Sequence, residues 1–268
     1  MNRPYVHGYD PREALRLADQ ATTLVDLLHH DTAYPTGHRI LEVGCGIGAQ
    51  TITLSRNSPE ARFTSIDFSE PSLAAARRAV EAANLQNVEL LQADIFDLPF
   101  APESFDHVFS CFVLEHLPHP AEALRLLKRV LKPGGSITAI EGDHGSAYFF
   151  PDSIFGRRTI AALVELQART GGNALVGRAL YPLFRSAGFK DVRVSPRMVY
   201  VDSSKPDLVE GFTNKTFTAM VKGVRQSVLA AGLMNARDFE RGIRDLYRTA
   251  DADGVFCYTF FKALATSQ

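Results

Sequence analysis

Glu42-Val43-Gly44-Cys45-Gly46-Ile47-Gly48 is the stretch on which the fold turns. It follows a short apolar run, Arg39–Val43, that has the length and character of a buried strand, and it precedes Ala49–Arg56, which has the pattern of a helix. Its glycines permit a tight turn and let a ligand approach the backbone, while the following helix offers unpaired amides to a negative group. Three alternating glycines cost conformational entropy with no evident packing return. The turn is therefore a candidate ligand site rather than a mere connection.

Working outward, strands and helices alternate. Arg62–Ile66 is a second strand, and Ser69-Glu70-Pro71 starts a helix through Ala83. Val88–Gln92 and Phe105–Cys111 are the third and fourth strands. A helix from about Pro120 to Leu131 leads through a Lys132-Pro133-Gly134-Gly135 turn to a fifth strand, Ser136–Ile140. This rhythm predicts βαβ units and an α/β class fold, a mostly parallel sheet with helices on both faces. On the amino-terminal side, Asp10-Pro11-Arg12-Glu13 has the layout of a helix start. That helix ends near His29-His30-Asp31, where partly charged histidines suit a C-terminus.

Beyond Glu141, helices are predicted over Ser153–Arg169, Leu175–Ala187, Pro206–Ala231 and Ala236–Ala250, and strands over Val192–Val201 and Val255–Ala265. Pro196 places the first of these strands near an edge or a bulge. Residues 142–187 and 202–253 exceed what plain crossovers need, which predicts helices lying over one end of the sheet as a lid. The aromatic side chains Tyr148, Phe149, Phe150, Phe155, Tyr181, Phe184, Phe212 and Phe217 fall there and together favour an apolar small-molecule cavity. The expected organisation is a single domain, 1–268, with an N-terminal helical cap over 1–37, a cofactor-binding core over 38–141, and lid helices with the last strands over 142–268.

Composition narrows the function classes. The 268 residues carry 29 Lys and Arg against 30 Asp and Glu, a balance that argues against dedicated nucleic-acid binding. Cys45, Cys111 and Cys257 form no CxxC pair, so a reducing compartment is expected and a disulfide framework is not. No stretch reaches the ~20 apolar residues of a membrane helix. Arg3, Asp10, Arg12 and Glu13 interrupt any apolar leader. A cytoplasmic protein with a small-molecule substrate and no membrane or nucleic-acid partner is the expectation, and no metal-ligand spacing is evident.

The glycine turn alone fits two cofactors. As G-x-G-x-G it suits S-adenosylmethionine, whose carboxylate would meet the helix amides; as Gly44-x-Gly46-x-x-Ala49 it satisfies the dinucleotide fingerprint. Asp67, closing the second strand, can bind ribose hydroxyls in either case. Glu42 favours the first: a carboxylate there would repel a pyrophosphate and attract a sulfonium or ammonium. Asp94, closing the third strand, can accept from an adenine amino group.

These pieces, taken with Ile66-Asp67-Phe68-Ser69, Gln92-Ala93-Asp94-Ile95, Leu98-Pro99-Phe100, Phe105-Asp106-His107-Val108, Leu114-Glu115-His116-Leu117 and Leu131-Lys132-Pro133-Gly134-Gly135, resemble the class I S-adenosylmethionine-dependent methyltransferases over about residues 38–141. The resemblance implies a Rossmann-like seven-stranded sheet whose last strand is antiparallel and inserted beside the fifth. It also implies roles: Glu42, Gly44, Cys45, Gly46 and Gln50 around the methionine portion, Asp67 on the ribose, and Phe68 over the adenine. Asp94 and Ile95 would meet the adenine edge, and the Cys111 carbonyl the amino group. Tyr5-Val6-His7-Gly8-Tyr9-Asp10-Pro11-Arg12-Glu13 and Glu141-Gly142-Asp143-His144-Gly145 resemble a narrower subgroup acting on small natural products, including terpenoid–indole C-methyltransferases; there an amino-terminal helix folds over the cofactor, which makes Tyr5 and Tyr9 candidate cofactor contacts.

Methyl transfer is chiefly alignment of a nucleophile with the methyl group, and oxygen or nitrogen acceptors often add a base. Glu115, His116, Glu141, Asp143 and His144 follow the fourth and fifth strands, at the mouth of an open α/β sheet. His144 is the first candidate base and His116 the second. The rival expectations are a cofactor-binding protein without catalysis and an NAD-dependent oxidoreductase. A DPPY-type nucleic-acid motif is disfavoured, because Asp97-Leu98-Pro99-Phe100 follows the third strand rather than the fourth.

Overall fold

A computed structural model describes residues 11–267. Tyr5, Tyr9 and the Asp10 cap lie outside the described residues. The chain runs α1 (Pro11–His29), β1 (Arg39–Val43), α2 (Ala49–Asn57), β2 (Arg62–Asp67), α3 (Glu70–Ala82), β3 (Val88–Gln92), β4 (Phe105–Cys111), α4 (Pro120–Val130) and β5 (Leu131–Gly142). It continues through β6 (Tyr148–Phe150), α5 (Ile154–Arg169), α6 (Leu180–Ser186), β7 (Lys190–Asp202), α7 (Pro206–Leu208), α8 (Ala219–Gly223), α9 (Arg225–Ala230), α10 (Ala236–Arg248) and β8 (Val255–Thr266).

The strands form one sheet in the order β3-β2-β1-β4-β5-β8, with β1 to β5 parallel and β8 antiparallel to β5. The expected inserted last strand is therefore present, and β7, holding Pro196, pairs with β8 at the edge. One strand is added. Tyr148–Phe150 pair with Val255–Cys257, while β5 pairs with the other half of β8, from Phe260 to Thr266. Because β7 flanks β8 along both halves, β6 continues the line of β5 on β8's opposite side.

Alternation places successive side chains on opposite faces. Ile40, Phe109 and Ile140 join a core with α1, α5 and α10, whereas Leu41, Val108 and Ala139 join a second core against α4 and α6. Local chemistry sets several helix ends: Ser69 caps α3 by accepting from the Ser72 amide, Ser153 caps α5, and Asn235 caps α10. The Lys132–Gly135 turn is instead absorbed into the start of β5, where Gly134 has φ of +74° and the pairing with β4 shifts register between Phe105 and His107. The helix expected over Pro206–Ala231 is broken into α7, a π-helical segment Val209–Thr218, α8 and α9. The end of α1 is tied to the sheet by Lys262 of β8, whose Nζ lies 2.6 Å from both Asp31 Oδ1 and Thr32 Oγ1.

Candidate active site

The sheet order reverses between β1 and β4, each of which pairs with the other while β2 and β5 lie outside them. In open α/β sheets the crevice at such a point, beyond the strands' carboxyl ends, is where ligands bind. A cavity of about 730 Å³ opens there, within the roughly 300–1,000 Å³ of small-ligand pockets. The glycine turn forms its floor. Gly44, Gly46 and Gly48 have φ of +67°, +54° and +80°, conformations that glycine adopts without the Cβ penalty. A Cβ on Gly44 would sit 2.4 Å from Val113 Cγ2, so the two loops need glycine to meet; at Gly46 a Cβ would project into open space.

Asp67 locks this turn. Its Oδ2 accepts from the Gly46 amide and its Oδ1 from the Ser69 amide, each at 2.9 Å. Burial raises its pKa, and the amides of Ser69, Gly46 and Phe68 oppose that rise. Asp94 lies beside it on the wall and accepts from the Phe96 amide at 2.9 Å. Gly44, Cys45, Gly46, Gln50, Asp67, Phe68, Asp94, Ile95, Cys111, His116 and His144 all line the cavity.

Glu42 does not reach it. Only 2% exposed, its Oε2 accepts from Thr51 Oγ1 at 2.7 Å and Ser65 Oγ at 2.6 Å, tying α2 and β2 to β1. Burial pushes its pKa up to about 7 against those two hydroxyl donors. The expectation that it touches the methionine portion is corrected: Glu42 shares the face of Ile40, behind the glycine turn, and its carboxylate is engaged by neighbours.

The candidate bases separate in the same way. Asp143 is held by Arg178, with Nε to Oδ2 at 2.6 Å and Nη2 to Oδ1 at 2.8 Å. Glu141 is fully buried and its Oε1 accepts from the Val113 and Leu114 amides at 3.0 and 2.8 Å; burial raises its pKa to about 8, with the neighbouring Glu115 charge adding to the rise. Glu115 reaches the cavity and touches Gln167 Nε2 at 3.2 Å, with His116 Nε2 at 3.6 Å from its other oxygen. Burial alone would raise the Glu115 pKa, but His116, His144, Gln167 and Arg16 together bring it below the ordinary value. Of this buried carboxyl pair, Glu141 keeps the proton.

His144 faces the same space from the short turn between β5 and β6. Its Nδ1 lies 2.7 Å from the Tyr258 hydroxyl, and its Nε2 is buried without a hydrogen-bond partner among the described residues. Burial lowers its pKa, so the ring is neutral, the form that can take up a proton. His29, expected to end α1 as a partly charged residue, is buried and brought down to about 4, chiefly by that burial. It meets Gln50 instead of solvent.

Of the eight lid aromatics, only Phe212 and Phe217 line the cavity. Tyr148, Phe150 and Tyr181 are exposed, Phe149 stacks on Phe256, and Phe184 lies in the α4 core. Phe112, Met220, Tyr258 and Phe260 add to the apolar wall, with aliphatic side chains such as Val43, Ile47, Val113 and Leu117. Tyr258 and Phe260 were missed in the sequence; the Phe256, Tyr258, Phe260 alternation along one strand face is the signal that could have found them. Phe112 had no such signal: it follows β4 with φ of +58°, a left-handed conformation uncommon for a bulky residue and characteristic of strained functional positions. Arg16 and Gln20, one helical turn apart on α1 and bonded at 2.8 Å, close the opposite side.

A glycine turn held by an acid at a sheet's reversal, opening on a buried imidazole and an aromatic wall, makes a small-ligand site of an open α/β sheet. A methyltransferase-domain family profile matches residues 41–139. The demethylmenaquinone methyltransferase of Listeria monocytogenes is 34% identical over 171 residues, covering 59% of this chain and 72% of the relative. The chain belongs to the class I S-adenosylmethionine-dependent methyltransferases. Among solved structures, phosphoethanolamine N-methyltransferase 2 of Haemonchus contortus matches with a TM-score of 0.57 at 18% identity, over 91% of this chain and 52% of that one. A protein of Bacillus halodurans matches with 0.56 at 17%, over 92% and 99%. Both show the same fold. Among the described residues, no group of three His, Cys, Asp or Glu is placed to hold a metal ion, and no helix is long and apolar enough to cross a membrane.

Proposed function

We propose that this methyltransferase acts on a small, mostly apolar acceptor seated against Phe212, Phe217, Met220, Tyr258 and Phe260. One observation carries the reading: a single cavity runs from the glycine turn to that aromatic wall, so cofactor and acceptor share one space. The cofactor fits the floor on this chain's own geometry, since Gly46 has no atom in the way of a ligand and the first turn of α2 has no side-chain cap. Gly44, Cys45, Gly46 and Gln50 would hold its amino-acid end, Asp67 the ribose, Phe68, Asp94 and Ile95 the adenine, and the Cys111 carbonyl the ammonium. When bound, S-adenosylmethionine supplies an electrophilic methyl group.

The protein's own task is to orient the acceptor and move a proton. Holding the reacting partners in line is worth up to about 7–11 kcal/mol. His144, neutral and aimed by Tyr258, takes the acceptor's proton, and Glu115 at the cavity wall stabilises the imidazolium that results. The apolar wall excludes water from the acceptor. The name of the Listeria relative brings a demethylated quinone to this chain as one acceptor to try.

Calorimetric titration with S-adenosylmethionine, S-adenosylhomocysteine and NADH tests the cofactor, and release of S-adenosylhomocysteine across a panel of apolar acceptors, a demethylated quinone among them, tests the acceptor class. Micromolar binding of the first two ligands, none of NADH, and turnover confined to apolar acceptors is expected. Binding without turnover on any acceptor would favour the non-catalytic alternative.

A further inference from the structure

Gln50 opens α2 on the cavity floor, and its side-chain oxygen lies 2.6 Å from Nε2 of His29, at the last position of α1. His29 is 2% exposed, with its ring 5.8 Å from that of Phe109. Its Nδ1 is buried and has no hydrogen-bond partner among the described residues. A proton on Nδ1 would leave an N–H buried and unmet, the rarer and costlier kind of orphan. The proton therefore sits on Nε2, which donates to Gln50 Oε1. Burial keeps the ring neutral, and protonation would add a second N–H without removing the first.

This bond decides which way the Gln50 amide faces. With Oε1 taken by His29, the amide NH₂ is the end left over, and no protein group among the described residues receives it. Gln50 thus turns two donors toward the cavity, beside the open amides of the α2 first turn. Reversing the amide would put its oxygen beside those amides' ligand and set two donors against the His29 N–H.

We propose that His29 is a positioning residue: it fixes Gln50 as a hydrogen-bond donor to the carboxylate at the amino-acid end of the cofactor. The same contact couples α1, whose Arg16, Leu17 and Gln20 line the cavity, to the cofactor floor. The inference rests on the proposed placement of the cofactor's amino-acid end at the glycine turn.

The test compares S-adenosylhomocysteine with 5′-methylthioadenosine, which shares the adenosine and lacks the amino-acid end. One net hydrogen bond to a charged group corresponds to roughly a tenfold change in affinity or somewhat more. His29→Leu and Gln50→Ala should each weaken S-adenosylhomocysteine by about that factor while leaving 5′-methylthioadenosine within twofold. The double variant should be no weaker than Gln50→Ala alone, and His29→Gln, which restores a donor at the ε position, should recover most of the affinity. Equal losses for both ligands, or additive losses in the double variant, would reduce His29 to a packing residue of α1 and overturn the proposal. A Gln50→Ala variant that binds both ligands normally would overturn the placement of the amino-acid end itself.

Discussion

Nδ1 of His144 and the hydroxyl of Tyr258 lie 2.7 Å apart across 114 positions of sequence, and Gly142 makes their meeting possible. A Cβ on Gly142 would stand 2.4 Å from that hydroxyl. The imidazole is thereby oriented by the last strand of the sheet rather than by its own turn.

His144→Ala is expected to lower turnover by ~10²–10⁴-fold, the usual span of general acid–base catalysis, while leaving affinity for S-adenosylhomocysteine within about twofold. Gly142→Ala should reproduce part of the loss by displacing the Tyr258 hydroxyl. Steady-state kinetics alongside calorimetry separates these effects, and unchanged turnover in His144→Ala would leave the residue a structural one.

Asp67→Ala should weaken S-adenosylmethionine at least ~tenfold, since a buried carboxylate contact is worth more than 1.4 kcal/mol when charge-assisted. Asp67→Asn keeps an acceptor for one of the two loop amides and should fall between. Near-wild-type affinity in Asp67→Ala would remove the ribose assignment.

The two floor glycines should fail differently. Gly44→Ala collides with Val113 and is expected to lower thermal stability as well as binding, and a Val113→Ala partner should recover part of the stability. Gly46→Ala meets no atom, so its stability cost should stay near the ~1–2 kcal/mol of a left-handed non-glycine residue while cofactor affinity collapses. Melting curves with and without S-adenosylhomocysteine distinguish the two.

Glu42 gives a pH signature. Its folded pKa of about 7 exceeds the ordinary 4.5, so its contribution to stability is whole below about pH 4.5 and is lost as pH rises through 7. Glu141, pushed to about 8, adds a loss of the same sign at slightly higher pH. The buried His29 and His144, both held below the ordinary 6.5, act in the opposite sense at lower pH, so melting temperature of the ligand-free protein should fall between about pH 6.5 and 8, and Glu42→Gln, which keeps an oxygen for Thr51 and Ser65, should flatten the lower part of that fall. An unaltered slope in Glu42→Gln would place the titration elsewhere.

Much of this was legible because it is local. The ends of β1 to β4 follow from apolar runs stopped by turns, and the Ser69 and Ser153 caps from side chains that serve their own backbone. Residues at strand ends, Asp67 and Asp94 among them, reach the cavity because the sheet order brings those ends together. What stayed hidden depends on distant partners. β6 is three residues whose pairing with β8 leaves Tyr148 and Phe150 facing outward, and nothing in their spacing distinguishes that from a pocket wall. The π-helical segment gives Gly211 room to press against Thr23 of α1, where a Cβ would stand 2.3 Å from the hydroxyl, a contact that helical periodicity cannot show. His29 resembles a surface cap until Gln50 is placed opposite it.

The interruption between β5 and β6 has a mechanical meaning. Both pieces are stitched to one unbroken strand, β8, so the turn carrying His144 is clamped at its two ends like a staple set in a board. That end of the cavity has little freedom to open. The opposite wall, where α1 meets the π-helical segment, is held on the sheet by side-chain packing alone, through Leu24, Leu28, Phe212 and Phe217, and not by strand pairing.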